Sequence, residues 1–274
     1  MSNPLLLNYH DACVYKSDLR LVESPTEWLN DACINFQMTR LQQKHKDSRA
    51  NQGGGVTPPL VFLDPAVVSY MMHQCDEEDL ADLGQSWSAD IRRMSTGGGA
   101  DECQPCGLFV PINDHNAASS AAFQSVGGGN HWSMLLIVLS RSMEGLEGRK
   151  LAADQMLHFD SHGRCNATAA KAVGAKIYQA LSLHDNDVVI PANKKVTLTH
   201  CSTPQQNNGH DCGIFALGAA EALSESSLWQ GEGIIAQDME NALMDFVSTL
   251  GGTAFANKMR QKIGQDIREL SATK

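Results

Sequence analysis

The segment from His131 to Leu139 limits the fold more than any other part of the sequence. It is apolar almost throughout, which is typical of a β-strand buried on both faces. A second strand is predicted over Gln155 to Ser161, with the polar residue Asp160 near its end. We therefore expect the core to be built around a sheet that contains these two strands.

Helical patterns lie on both sides of these strands in the sequence. Further strands are predicted at about 60–63, 107–113 and 195–201, and 5–22 could hold another short one. Helices are predicted at about 31–46, 65–74, 166–183, 212–224, 234–250 and 253–270. This order predicts an α+β fold, with a central, mostly antiparallel sheet of four or five strands flanked by helices.

Three glycine-rich loops near 47–58, 95–106 and 117–129 have the composition of exposed insertions. A chain of 274 residues can form one domain with insertions or two small domains. Cys103 and Cys106 form a C-x-x-C pair that could be half of a zinc site or a redox pair. No second pair follows at zinc-finger spacing, so we predict no metal site.

The formal net charge of -10 argues against a nucleic-acid partner and mildly favours a basic partner surface. No apolar run approaches the roughly 18 residues that cross a bilayer, so no membrane partner is expected. The opening segment is too short for a secretion signal, and the eight cysteines are scattered along the chain. These features predict reduced thiols and a cytoplasmic or nuclear location.

His131 and Asp160 lie at two ends of the predicted strands that should meet. If the strands pair as antiparallel neighbours through 141–154, the start of the first lies beside the end of the second. Directly opposed residues have Cβ atoms about 4.5–5.5 Å apart, which suits an imidazole–carboxylate hydrogen bond. The pair is thus a candidate base with its orienting group, although both residues could equally be solvated strand ends.

Cys212 stands where a polar, turn-rich run from Pro204 to Asp211 gives way to an apolar helical pattern. A helix N-terminus stabilises a thiolate through its unpaired N–H groups and its dipole, and the thiolate is the reactive form. Asp211 is a reasonable N-cap, and Gly213 allows another backbone to approach closely. A cysteine before an apolar helix can also be only a small buried hydrophobe.

Several segments of the sequence together resemble the Ulp/sentrin-specific (SUMO-protease-like) family of cysteine peptidases. The matching segments are Trp28-Leu29-Asn30-Asp31, Leu108-Phe109-Val110-Pro111-Ile112-Asn113-Asp114, His131-Trp132-Ser133, His158-Phe159-Asp160-Ser161 and Gln205-Gln206 with Asp211-Cys212-Gly213. The resemblance covers nearly the whole chain and implies a papain-like protease core. It favours a single protease domain over 1–274, and within the family it is strongest to the deneddylase branch.

The resemblance also implies roles for particular residues. Cys212 would be the nucleophile, His131 the general base and acid, and Asp160 the group that orients the imidazole. Gln206 would donate to the oxyanion together with the backbone N–H of Cys212.

Three further residues would bind the substrate tail. Trp28 and Trp132 would close over a C-terminal Gly-Gly tail, and Asp31 would contact the tail nearby. His210 departs from the family pattern, because it stands where an aromatic residue is usual.

The function implied is that of a thiol isopeptidase and endopeptidase that cleaves after the Gly-Gly of a ubiquitin-like modifier, with no cofactor and no metal. The expected partners are the modifier and its lysine-conjugated proteins. The neddylation modifier is favoured, and a SUMO-specific protease is the alternative. A catalytically weak module that binds a ubiquitin-like protein is the alternative from another class. The glycine-rich loop before His131 could gate the tail tunnel or contact the modifier.

Overall fold

A mixed β-sheet lies between two groups of helices. The computed structural model describes residues 3–51, 58–95, 105–117, 131–142, 150–184, 188–189, 197–230, 234–251 and 254–273. The strands are β1 Leu5–Tyr9, β2 Ala12–Tyr15, β3 Leu60–Phe62, β4 Cys106–Asn113, β5 Trp132–Ser142, β6 Lys150–Phe159, β7 Val188–Val189 and β8 Leu198–Cys201. The helices are α1 Lys16–Glu23, α2 Asp31–Asn51, α3 Pro65–His73, α4 Glu77–Ser95, α5 Ala167–His184, α6 Cys212–Ser224, α7 Ala236–Thr249 and α8 Phe255–Ala272.

The main sheet has the strand order β3-β4-β5-β6-β7, and β8 also pairs with β6. β5 runs antiparallel to β4 on one side and to β6 on the other. The short strands β3, β7 and β8 run parallel to their neighbours. The long central pairings are therefore the antiparallel ones that the sequence predicts, and the edge strands make the sheet mixed.

β5 is buried on both faces, as its sequence predicts. Leu135, Ile137 and Leu139 belong to one hydrophobic cluster, which is completed by α3, α4 and α5. Met134 and the alternate residues that follow it face a second cluster, formed with α2, α6, α7 and α8. This alternation has period two, so one strand joins both halves of the core.

The hairpin of β5 and β6 is longer than the sequence predicts. The polar segment 141–154 is expected to be a loop, yet β5 continues to Ser142 and β6 begins at Lys150. The strands pair as far as Ser142 and Lys150, with a register shift between Val138 and Leu139. Hydrogen bonds between strands join main-chain groups, so a ladder can extend through polar side chains.

The N-terminal segment also contains more structure than expected. The hairpin of β1 and β2 is a separate two-stranded sheet, and α1 follows at Lys16. The Asp18 carboxylate accepts a hydrogen bond from the Tyr15 main-chain N–H, which closes the first turn of α1. Short amphipathic elements such as these carry too few residues for a clear hydrophobic period.

The loop predicted at 47–58 begins later than expected, because α2 continues to Asn51 instead of ending near residue 46. Most of the other predicted insertion residues lie outside the described ranges, as does Cys103 of the C-x-x-C pair. Cys106 begins β4, where it is buried, and its Sγ contacts the main-chain oxygen of Leu139 at 3.5 Å. Within the described ranges, no group of three potential ligand residues could hold a metal ion. No helix in these ranges is long and apolar enough to span a membrane.

Candidate active site

The β5–β6 hairpin brings His131 and Asp160 together, but not as directly opposed residues. The ladder ends at the pair Met134–Phe159, and one further step in this register sets Asp160 opposite Ser133. His131 is two residues further along the same face, opposite His162, with the two imidazole centroids 5.8 Å apart. Nε2 of His131 nevertheless lies 2.6 Å from Oδ1 of Asp160, because both side chains lean across the diagonal.

Three donors hold the buried Asp160 carboxylate. Oδ1 accepts hydrogen bonds from His131 and from the main-chain N–H of His162, and Oδ2 accepts one from the N–H of Asn166. Burial opposes ionisation, but these hydrogen bonds outweigh it and lower the pKa of Asp160 to about 2. The carboxylate is therefore a permanent negative charge at neutral pH.

His131 is correspondingly stabilised as an imidazolium. Burial alone would lower its pKa, but hydrogen bonds to Asp160 and Cys212, with the charges of those groups, raise the pKa to about 9. Since Nε2 is bonded to Asp160, Nδ1 is the nitrogen left for the sulfur of Cys212. The imidazolium therefore lies between the Asp160 carboxylate and the sulfur of Cys212, as a general acid beside a nucleophile would.

Cys212 is the first residue of α6 and is 1% exposed. Asp211 occupies the N-cap position, as predicted, but makes no side-chain capping bond. Its carboxylate instead accepts hydrogen bonds from Arg260 and from Nδ2 of Asn208. The prediction of a capping side chain at Asp211 is therefore wrong, because a buried cation competes more strongly for the carboxylate than the helix N–H groups.

Gln206 lies on the turn that leads to Cys212 and is fixed from both ends of its amide. Oε1 accepts a hydrogen bond from Oγ of Ser161 at 2.7 Å, and Nε2 donates to the main-chain oxygen of Asn208 at 2.6 Å. The main-chain N–H of Gln206 donates to the oxygen of Ser161 at 2.9 Å. An amide NH₂ has two hydrogens, so one donor of Nε2 remains in addition to the bond to Asn208.

The three predicted tail-binding residues lie around the segment before α2. Trp132 is 4% exposed, and its Nε1 donates to the main-chain oxygen of Leu29 at 3.1 Å. Trp28 is 40% exposed, so its ring can contact a bound chain. Asp31 begins α2, and burial followed by the nearby charge of Asp64 raises its pKa.

This segment packs directly on the predicted nucleophile's helix. A Cβ placed on Gly213 would lie 3.1 Å from the Cβ of Leu29, which is tighter than an ordinary contact. Gly213 thus permits the close approach that the sequence predicts. Asn30 caps α2 by accepting a hydrogen bond from the N–H of Cys33.

The structure adds supporting residues that sequence reasoning did not identify. Nδ2 of Asn166 donates to the main-chain oxygens of Ile112 and His131 and contacts Oγ of Ser133. Arg260 and Ser161 also belong to this group. Ser161 lies in a segment that carries the family resemblance, whereas α8, which holds Arg260, has only an amphipathic pattern to mark it.

Two residues without an assigned role also have structural partners. Nε2 of Gln205 donates to the main-chain oxygen of Asp160, and its Oε1 accepts from the N–H of Gly163. His158 is buried, with Nε2 2.9 Å from Oγ of Ser133 and Nδ1 3.2 Å from Nδ1 of His200.

Comparison with known sequences decides the family. The description "Ulp1 protease family, C-terminal catalytic domain" matches residues 27–246. The chain belongs to the Ulp1 protease family. The predicted family resemblance and the enzyme class, a cysteine peptidase, are confirmed. The match spans Cys212, His131, Asp160 and Gln206.

Named relatives of this Ulp1-family chain come from distant organisms. It is 25% identical over 85% of its length to a probable sentrin-specific protease 8 of Dictyostelium discoideum, covering 80% of that protein. It is 23% identical over 82% of its length to sentrin-specific protease 8 of Homo sapiens, covering 83% of it. It is 25% identical over 80% of its length to NEDD8-specific protease 1 of Arabidopsis thaliana, covering 75% of it.

Solved structures confirm the fold class. A SUMO protease Ulp1 with its catalytic cysteine oxidised to a sulfenic acid superposes with a TM-score of 0.57 at 17% identity, covering 98% of this chain and 89% of that one. A de-sumoylating protease superposes with a TM-score of 0.52 at 13% identity, covering 97% and 91%. The Ulp1-family chain therefore has the α+β protease fold of these enzymes.

Proposed function

We propose that this Ulp1-family protease is a deneddylase that cleaves after the C-terminal Gly-Gly of the neddylation modifier. The observation that carries the proposal is the naming of the relatives above, which are called sentrin-specific protease 8 or NEDD8-specific protease and align over at least three quarters of their length. The substrates would be the modifier precursor and lysine-conjugated proteins. The enzyme would act as one catalytic unit in the cytoplasm or nucleus.

In the proposed reaction, the Cys212 thiolate attacks the carbonyl carbon of the terminal glycine. His131 enters the reaction as an imidazolium and protonates the leaving lysine ε-amine as the C–N bond breaks. The product is a thioester between Cys212 and the modifier. A water molecule, deprotonated by His131, then hydrolyses the thioester and restores the thiolate. Asp160 keeps the imidazole in one orientation and stabilises its charge throughout.

The negative oxygen that forms at the attacked carbonyl needs donors. We assign this role to the remaining N–H of Gln206 Nε2 and to the main-chain N–H of Cys212. The bonds of Gln206 to Ser161 and Asn208 support this assignment, since they hold the amide in one orientation before substrate arrives. Such a preorganised donor typically contributes about 3 kcal/mol to transition-state stabilisation.

We assign the modifier tail to the space between Trp28, Trp132 and Asp31. Trp132 is immobilised by its bond to Leu29, whereas the Trp28 ring is free to close over a peptide. A tunnel walled by two indole rings leaves no room for a Cβ, which explains a requirement for glycine at the last two positions of the tail.

Electrophilic probes made from single modifiers test the proposal. Wild type and Cys212→Ala are each incubated with probes that carry the neddylation modifier, SUMO or ubiquitin, and adducts are detected by mass. Labelling of wild type by the neddylation probe, with none of Cys212→Ala, is expected. The proposal fails if no modifier labels Cys212, and labelling by the SUMO probe alone would replace it with a SUMO-specific protease.

The SUMO-specific alternative rests on the solved neighbours, which are named as SUMO proteases. Their identities of 17% and 13% support a shared fold and do not bear on the modifier. A non-catalytic module that only binds a ubiquitin-like protein is the remaining alternative. It predicts a stable modifier complex with no cleavage of a C-terminal fusion.

A further inference from the structure

Arg260 lies on α8, beyond the span 27–246 that matches the family, and its side chain is almost wholly buried. Every nitrogen of its guanidinium donates. Nε and Nη2 bond Oδ1 of Asp211 at 3.1 and 2.8 Å. Nη1 bonds the main-chain oxygens of Leu21 at 2.9 Å and Val22 at 3.4 Å, and Nη2 bonds that of Glu27 at 2.7 Å.

Three of these bonds, two to Asp211 and one to Glu27, reach residues next to the proposed catalytic machinery. Asp211 immediately precedes Cys212, and Glu27 immediately precedes Trp28. One rigid, planar cation therefore holds the residue before the nucleophile and the residue before an exposed tail-binding ring. The planar guanidinium donates in fixed directions to the Asp211 carboxylate and to the Glu27 main-chain oxygen at the same time, which a single ammonium group cannot do.

The link continues from Asp211 to the oxyanion site. Oδ2 of Asp211 accepts a hydrogen bond from Nδ2 of Asn208, and the main-chain oxygen of Asn208 accepts one from Nε2 of Gln206. Oδ1 of Asn208 also accepts from the N–H groups of His210 and Asp211, so the whole turn is tied together. A change in the direction of the Asp211 carboxylate would therefore move the Gln206 amide.

We propose that Arg260 is a positioning residue that fixes the tail-binding segment at Glu27–Trp28 relative to Cys212 and Gln206. The inference rests on the proposed function for its effect on modifier turnover. Its effect on Cys212 itself does not depend on which modifier is bound. Loss of the fork should thus alter both the reactivity of the thiol and the use of substrate.

The chain supplies a matched control on the same helix. Arg268 of α8 pairs with Glu23 at the end of α1, close to the main-chain oxygens that Arg260 binds, but this pair is exposed. Arg268→Gln removes an α8–α1 ion pair and leaves the Asp211 and Glu27 bonds intact. A general role of α8 in stability would affect both variants, whereas positioning affects only Arg260.

The test uses the full chain with Arg260→Lys, Asp211→Asn, the double variant and Arg268→Gln. Alkylation of Cys212 by iodoacetamide is followed against pH by mass spectrometry of the Cys212 peptide, with Cys212→Ala to identify that peptide. Separate kcat and KM values are measured on a C-terminal modifier fusion, and folding is checked by thermal unfolding. Lysine keeps the charge and loses the fork, so Arg260→Lys isolates the geometry.

We expect Arg260→Lys to slow Cys212 alkylation at least fivefold with a shifted pH profile, and to lower kcat/KM at least tenfold through both constants. The double variant should be no worse than the worse single variant, because both changes break one link. The proposal would be overturned if the alkylation rate and kcat/KM of Arg260→Lys stayed within twofold of wild type. It would also be overturned if Arg268→Gln lowered them equally, or if the effects of the two single variants added in the double variant. If Arg260→Lys does not fold, Asp211→Asn is measured in its place, and the same fold-changes in alkylation rate and kcat/KM support or overturn the proposal. A wild type that cleaves no modifier defeats the proposed function, and the alkylation series still decides the role of Arg260.

Discussion

Oγ of Ser161 donates to Oε1 of Gln206 across 2.7 Å and joins the residue after Asp160 to the proposed oxyanion donor. Since Oε1 accepts, the NH₂ end of the amide must point the other way, towards the turn before Cys212. The two residues are 45 positions apart in the sequence, and this bond acts together with the bond from Nε2 to the Asn208 main-chain oxygen to set which end of the amide serves as donor.

Ser161→Ala removes this bond and leaves the amide of Gln206 held only by its bond to the main-chain oxygen of Asn208. We expect kcat on a modifier fusion to fall about threefold to tenfold with little change in KM, because a net hydrogen bond of about 1 kcal/mol is lost from a group that acts in the transition state. Gln206→Ala is the reference for complete loss of the donor. A Ser161→Ala enzyme with unchanged kcat would show that Gln206 does not need this support.

Asp160→Asn should move the alkaline limit of activity. In wild type the imidazolium of His131 persists up to its pKa of about 9, so turnover, which needs that proton for the leaving amine, should decline only above that pH. Asparagine removes the negative charge, which lowers the pKa of His131 and shifts the decline to lower pH. Profiles of kcat/KM against pH on a modifier fusion measure the shift, and identical alkaline limits in the two proteins would contradict it.

The same pair makes stability depend on pH. The folded pKa of His131 lies above its ordinary value of 6.5, so its contribution is complete below about pH 6.5 and is lost as pH rises through about 9. The free energy of unfolding in urea should therefore fall more between pH 6 and pH 10 for wild type than for His131→Gln. If the free energy of unfolding fell equally in the two proteins, the pH dependence would belong to groups other than His131.

Gly213→Ala should separate the tail-binding segment from α6. The new Cβ would lie 3.1 Å from the Leu29 Cβ, an atom close to the backbone that cannot rotate away. We expect a higher KM for the modifier fusion and destabilisation of about 1–3 kcal/mol. Gly209→Ala is the matched control, since nothing lies within 4 Å of a Cβ there. Equal kinetics in the two variants would argue against a tight contact at Gly213.

His158 should make the fold sensitive to acid. Burial lowers its pKa to about 4, so the folded protein binds fewer protons than the unfolded chain between about pH 6.5 and pH 4. Stability should fall across this window by up to about 1.4 kcal/mol per pH unit. In His158→Gln, which can still bond Ser133, urea midpoints at pH 7 and pH 4.5 should differ less than in wild type. An unchanged difference would assign the acid sensitivity to other groups.

The elements that the sequence predicts well are those with a strong pattern and a local cause. The apolar run of β5 and the change from polar to apolar residues at Cys212 each depend on neighbouring residues. The sequence also predicts that His131 approaches Asp160, because an antiparallel hairpin brings the start of its first strand beside the end of its second. The sequence does not predict the exact register, in which His131 and Asp160 lie on a diagonal instead of directly opposite each other.

The supporting contacts could not be foreseen from sequence, because they join distant parts of the chain. Asp211 has the composition of a helix cap, and only the fold shows that Arg260, 49 residues away, takes its carboxylate. Ser161 and Asn166 likewise look like ordinary turn residues. A side chain with several possible partners takes the strongest one that tertiary structure brings within reach.

The β5–β6 hairpin has a practical consequence for labelling this enzyme. Its strands pair from Met134–Phe159 beside the catalytic candidates to Ser142–Lys150 at the far end. At about 3.3 Å per residue, the ten steps from Trp132 to Ser142 span about 33 Å. The Ser142–Lys150 end of the hairpin therefore lies well outside the reach of a bound tail, which makes it the end at which to attach a fluorophore or affinity handle.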